Sequence, residues 1–202
     1  MRTTRCALAA GAGAALLLLA AATPPAAAQQ PPPNPEVVIE TSKGDITVEL
    51  FRPEARVTVV NFLTYVLAGY YDGTIIHRVL RNQIIQGGGL NQDHTPRLEG
   101  LRGGILNEAT NRLRNERGTI AMARLDTPNS ARAQFFINVR NNPSFNHRDR
   151  SRNGFGYAVF GRVVDGMDVV DEIAGVRVQR VNGMRNVPRE NIVIHTIRRL
   201  EP

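Results

Sequence analysis

Cysteine is almost missing from this chain. Of its 202 residues only Cys6 carries a thiol, and it lies in an N-terminal segment that is expected to be removed. What remains can form no disulfide, no thiol nucleophile and no thiolate metal site. Lysine is almost missing too: Lys43 stands alone, and the net charge of +7 comes from arginine. Aromatics are few, and basic clusters such as Arg148, Arg150 and Arg152 lack the interleaved rings on which bases stack. The arginine excess therefore reads as composition and a solvated face, with no nucleic-acid partner. Several chemistries are absent as motifs. Gly87-Gly88-Gly89 is not followed by the Gly-Lys-Ser/Thr of a phosphate loop, and no serine sits in a nucleophile elbow. His77, His94, His147 and His195 match no metal-ligand spacing and have no supporting carboxylate cluster. Neither a metal nor a cofactor is expected.

The N-terminus is the first positive signal. Arg2 and Arg5 precede an Ala/Leu/Gly run, and Ala26-Ala27-Ala28 ends it with small residues. That is the pattern of a cleavable secretory signal. Its apolar centre at Leu16, Leu17, Leu18 and Leu19 is short and is followed by Pro24 and Pro25, so no stable membrane span is expected after cleavage. Because Cys6 lies before the apolar run, a lipoprotein is not expected. Removal of residues 1–28 leaves 174 residues and lowers the charge to about +5, enough chain for one domain with a sizeable core. Export without cysteine fits a Gram-negative periplasm. Residues 29–35 (QQPPPNP) read as an extended Pro-rich lead, and residues 36–202 as the single domain.

Along that domain, residues 37–41 and 46–50 alternate as two arms of a hairpin around Lys43-Gly44-Asp45. Pro53-Glu54 predicts a helix start, with Val59, Phe62, Leu63, Val66 and Leu67 on its apolar face and Gly69 at its end. Residues 119–123, 134–139, 157–164 and 191–200 read as strands, and residues 166–174 as a short helix. Residues 91–117 and 141–156 read as long polar loops. Short strands, two helices and long loops predict a closed antiparallel barrel with helical lids.

The chemistry concentrates around His77-Arg78-Val79 and Ile84-Ile85-Gln86-Gly87-Gly88, with Ala133-Gln134-Phe135-Phe136-Ile137-Asn138 further on. Arginine stays protonated at any working pH, and its flat fork holds a carbonyl or amide rather than exchanging protons. An arginine and two amides among apolar strands suggest a site that binds and polarises a backbone amide without attacking it.

These strings, with Asn61-Phe62, Tyr71-Asp72-Gly73-Thr74, residues 118–123 (GTIAMA) and residues 159–167 (VFGRVVDGM), occur in an order that resembles the cyclophilin family of peptidyl-prolyl cis-trans isomerases. The Tyr157-Ala158-Val159-Phe160-Gly161 form looks most like the exported bacterial branch. The resemblance spans residues 37–200. It implies a mainly β fold, a closed eight-stranded antiparallel barrel capped by two helices, with a cofactor-free proline groove on the outside. It implies Arg78 as the catalytic residue. As substrate-binding residues it implies His77, Ile84, Gln86, Met122, Arg124, Gln134, Phe136, Phe145 and Tyr157. Gln86 and Gln134 would hold the substrate backbone and Arg78, while Ile84, Met122 and Phe136 would wall the proline pocket. The expected partners are proline-containing, unfolded or partly folded exported polypeptides, and a monomer is expected. Three positions depart from the family pattern. Gln83 replaces an aromatic wall, Ser144 replaces a rim aromatic with Phe145 beside it, and Arg124 replaces an asparagine. The rival expectation is a chaperone-like module of the same fold that holds proline segments with little turnover.

Overall fold

The first hairpin forms as its alternation dictates. In the computed structural model, which describes residues 34–201, strands β1 (Glu36–Thr41) and β2 (Gly44–Leu50) pair from Glu36↔Glu49 to Thr41↔Gly44. The signal segment 1–28 and most of the Pro-rich lead lie outside the described residues. Helix α1 (Arg56–Leu67) follows, then strands β3 (Ile76–Leu80) and β4 (Ile84–Gly87). Beyond a long loop come β5 (Thr119–Met122), β6 (Phe135–Asn138) and β7 (Val159–Asp165). Helix α2 (Met167–Gly175), β8 (Val178–Val181), β9 (Met184–Pro188) and β10 (Ile194–Arg199) complete the chain.

Eight strands form one curled antiparallel sheet in the order β10-β1-β2-β7-β5-β6-β4-β3. The expected closed barrel is corrected here to a half-barrel. No ladder joins the edge strands β3 and β10; they meet through one isolated bridge, Ile75↔Val193, and flanking backbone hydrogen bonds such as Ile76 N to Ile192 O at 2.9 Å. The physical reason is local, since β10 becomes regular only at Ile194 while β3 begins at Ile76 and leaves one bridging pair between them. The hairpin β8-β9 was not foreseen. Asn182 and Gly183, with φ of 48° and 81°, form its turn, and Asn-Gly is the residue pair such two-residue turns require.

The concave face is filled by Phe62, Tyr65, Tyr71, Phe135 and Phe160, stacked at ring separations of 5.2 to 6.0 Å. Helix α1 covers it with Val59, Phe62, Tyr65 and Val66. Leu67, expected on that face, is 76 % exposed, while Tyr65 is 1 % exposed. A helix turns about 100° per residue, so Leu67 is carried away from the stripe that Phe62 and Val66 share. The helix also starts later than expected, at Arg56. Its first amides are capped not by Glu54 but by Glu108, whose carboxylate accepts from Val57 N at 3.0 Å and Thr58 N at 2.8 Å. A carboxylate here satisfies unpaired N–H groups and sits at the positive end of the helix dipole.

Candidate functional site

Strand parity decides what reaches the convex face. In β4 the inward residue is Ile85, leaving Ile84 and Gln86 outward; in β6 Phe135 and Ile137 point in and Phe136 points out. Between Ile76 and Arg78 the β3–β4 register shifts, because Ile76 pairs with Gly87 and Arg78 with Gln86. His77 is the extra residue of this bulge. The bulge keeps both Ile76 and Val79 in the core and turns Arg78 outward, the re-aiming that bulges achieve.

Register then lines up residues that are distant in sequence. Arg78 stands opposite Gln86, Gln86 opposite Phe136, Phe136 opposite Ala121, and Ala121 opposite Val159. One transverse row thus runs from a cation through an amide to an apolar patch. Along its polar end Arg78 Nη1 donates to Gln86 Oε1 at 3.1 Å, and Gln86 Nε2 donates to Gln134 Oε1 at 3.0 Å. Gly89 permits this relay, since a Cβ there would collide with the Gln134 side chain. The triple glycine is explained by close packing.

At the other end Ile84, Ala121, Phe136 and Val159 form a second buried cluster, apart from the main core. Phe145 and Tyr157 pack on it half-buried. Phe136, Phe145 and Tyr157 form a mutually edge-on trio with ring separations of 5.7, 5.5 and 5.2 Å. Ser144 is exposed, and Phe145 closes the wall in its place. Gln83 lies outside the cluster; its carbonyl accepts from Val139 N at 2.9 Å and Asn142 Nδ2 at 3.0 Å.

Met122 is not brought to the groove. It is 1 % exposed and belongs to the inner core, opposite Phe135. Parity is the reason: Ala121 faces outward in β5, so its neighbour Met122 faces inward. Arg124 does reach the rim, but four of its five N–H groups are already engaged. Nε donates to Gly156 O at 2.9 Å, Nη1 to Leu125 O and Asp126 O at 2.9 and 3.1 Å, and Nη2 to Arg152 O at 2.8 Å. Its guanidinium also lies 5.0 Å from the Tyr157 ring centre. Arg124 ties the 152–157 segment to the end of β5, a role that its identity alone did not suggest.

His77 is 8 % exposed, and its Nδ1 is buried with no hydrogen-bond partner. Burial lowers its pKa from 6.5 to about 4, and the charges of Arg78 and His94 push the same way. Contacts with the Ile75 backbone and Gln134 oppose this, but with Nδ1 unpaired the burial prevails. At neutral pH His77 is uncharged, so Arg78 carries the only charge of the His77–Arg78 pair.

Comparison with known proteins identifies the family. The family described as cyclophilin type peptidyl-prolyl cis-trans isomerase/CLD matches residues 36–199. A peptidyl-prolyl cis-trans isomerase of Streptomyces antibioticus is 50% identical over 160 residues, covering 79% of this chain and 95% of its own. Peptidyl-prolyl cis-trans isomerase B of Escherichia coli is 46% identical over 161 residues, covering 80% and 97%. A crystal structure of a cyclophilin type isomerase from Cryptosporidium parvum superposes with a TM-score of 0.67 at 26% identity, covering 84% of this chain and 99% of that one. The chain therefore belongs to the cyclophilin-type peptidyl-prolyl cis-trans isomerases, enzymes that act on proline-containing polypeptides.

Proposed function

We propose that this isomerase lowers the X-Pro rotation barrier by hydrogen bonding from Arg78 to the twisting amide, with no covalent step. The row Arg78–Gln86–Phe136 carries the reading, because it sets a held cation beside an apolar patch built on Phe136. The barrier is about 18–20 kcal/mol and comes from amide resonance. As the bond twists, the prolyl nitrogen regains its lone pair and becomes an acceptor. A donor that meets this atom, or the adjoining carbonyl, only in the twisted state stabilises the transition state selectively. Each ~1.4 kcal/mol so gained is tenfold in rate.

Gln86 and Gln134 hold the guanidinium in place and leave it other N–H groups for substrate. Ile84, Phe136, Phe145 and Tyr157 seat the proline ring, and Arg124 steadies that wall through Tyr157 and Gly156. A cyclophilin type isomerase of Cryptosporidium parvum with this fold has been crystallised in the presence of the dipeptide Ala-Pro. The test is an isomerisation assay on a proline peptide with wild type, Arg78→Ala and Arg78→Lys. Both variants should lose at least tenfold in kcat/KM, lysine because it keeps the charge but loses the fork. Equal rates in wild type and Arg78→Ala would overturn the assignment. Binding without turnover in wild type would favour the holding module instead.

The proposal of export rests on the N-terminal pattern alone. Residues 1–28 support removal of a signal, residues 36–202 acting as the single domain, and proline-containing exported polypeptides as substrates in the periplasm. Mass measurement of the exported protein checks this, and retention of residues 1–28 would contradict it. Sedimentation would check the expected monomer.

A further inference from the structure

Beside the Arg78 relay lies a cavity of about 270 Å³ that shares Gln86 and Gln134 with it. Its walls include three arginines, Arg97, Arg124 and Arg132, and no carboxylate. None of the three takes part in an ion pair; the four ion pairs among the described residues use Lys43, Arg117, Arg162 and Arg198. The acids nearest in sequence do not neutralise them. Asp93 is turned onto the Thr95 amide and hydroxyl, while Glu99 and Asp126 are exposed and do not line the cavity.

The three guanidinium groups differ in what they have left to offer. Arg124 spends four of its five N–H donors on backbone carbonyls, so it contributes chiefly a fixed positive charge. Arg97 lies 5.9 Å from the Tyr70 ring centre and donates to Asn91 Oδ1 at 3.3 Å, which keeps its remaining N–H groups at the cavity. Among the described residues Arg132 makes no side-chain hydrogen bond, while its carbonyl accepts from Asn61 Nδ2 at 2.6 Å and fixes the backbone beneath it. One wall thus offers a free planar fork, the geometry that holds a carboxylate in two hydrogen bonds.

Resting on the isomerase reading, we propose that this cavity selects proline segments carrying an aspartate or glutamate close to the proline. A peptide seated with its X-Pro bond at Arg78 passes Gln86 and Gln134, so a nearby side chain enters the cavity between Arg97 and Arg132. The apolar part of its walls, Leu98 and Leu101 among them, takes the methylenes and the arginines take the carboxylate.

The test uses one proline-peptide framework with Glu, Gln or Lys scanned through the flanking positions, against the full-length protein. At one position kcat/KM should rank Glu above Gln above Lys, with roughly tenfold between the extremes. The ranking should shrink in about 0.5 M salt, which shortens the screening length to a few ångströms. Arg132→Gln, which removes no side-chain hydrogen bond among the described residues, should flatten the ranking while leaving turnover of the all-neutral peptide unchanged. Arg97→Gln should flatten it further. An absent ranking with normal turnover of the neutral peptide overturns the proposal and leaves the isomerase reading standing. A ranking that survives both substitutions also overturns it. If the neutral peptide is not turned over, the isomerase reading fails separately, and the same ranking is read from peptide Kd.

Discussion

Acidification should unfold this protein partly through one side chain that carries out no chemistry. In the unfolded chain His77 takes up a proton near pH 6.5, whereas in the fold it does so only near pH 4. Between those values the unfolded state binds more protons, so stability falls as pH falls. It is fully present above about pH 6.5 and levels off below about pH 4. The interval corresponds to ~3 kcal/mol, of which about 2 kcal/mol is lost between pH 7.5 and pH 5. That is a large part of the 5–15 kcal/mol expected of an ordinary domain, roughly speaking. Asp171, held low by Arg117, and Asp149 and Asp93, held low by Ser151 and Thr95, lose their contributions only nearer or below the usual carboxylate range. The window above pH 5 therefore isolates His77 from them. The assay is urea unfolding followed by circular dichroism, since the chain has no tryptophan, at several pH values for wild type and His77→Gln. The variant should lose about 2 kcal/mol less than wild type over that window. Equal losses in the two proteins would refute the burial argument, whatever their absolute stabilities.

Other substitutions probe other links. Arg124→Ala should lower stability by about 2 kcal/mol by leaving carbonyls of both rim segments without their donor. Hydrogen exchange should then speed up at residues 152–157, and unchanged exchange would contradict the tie. Glu108→Gln should cost about 1 kcal/mol by weakening the cap of α1; loss of the first-turn amide protection measures it. Phe145→Ala removes two edge-on ring contacts, and should raise KM for a proline peptide by roughly tenfold with kcat less affected. Gly89→Ala should displace Gln134 and so reduce kcat/KM while the fold survives, which circular dichroism checks. With His77 neutral and Arg78 always charged, isomerisation itself should be flat from about pH 6 to 9; a bell-shaped profile would show that a titrating group takes part.

Much of the site was legible because its residues sit in local strings. His77-Arg78-Val79, Gln86 and Gln134 could be picked out before any fold was known, and the structure brings Arg78, Gln86 and Gln134 into one hydrogen-bonded chain. What failed was orientation. The resemblance implies Met122 in the groove, yet it faces the core, and only the pairing of Ala121 with Phe136 shows which parity of β5 is outward. The Asn182-Gly183 pair is a local signal sufficient for the β8-β9 turn. Glu108 left no local signal at all, because a helix cap drawn from 50 residues away is a property of the folded chain.

The sequence by itself determined that Arg78 would be charged at every working pH, that no thiol chemistry follows Cys6, and that apolar alternation would build strands. Those outcomes depend on side-chain identity and short-range pattern. Tertiary structure alone decided that the bulge at His77 turns Arg78 outward, that Phe145 rather than Ser144 completes the aromatic wall, and that Arg124 ties a rim instead of facing solvent. Each of these depends on register across strands distant in sequence, and a shift of one residue would send every side chain to the opposite face.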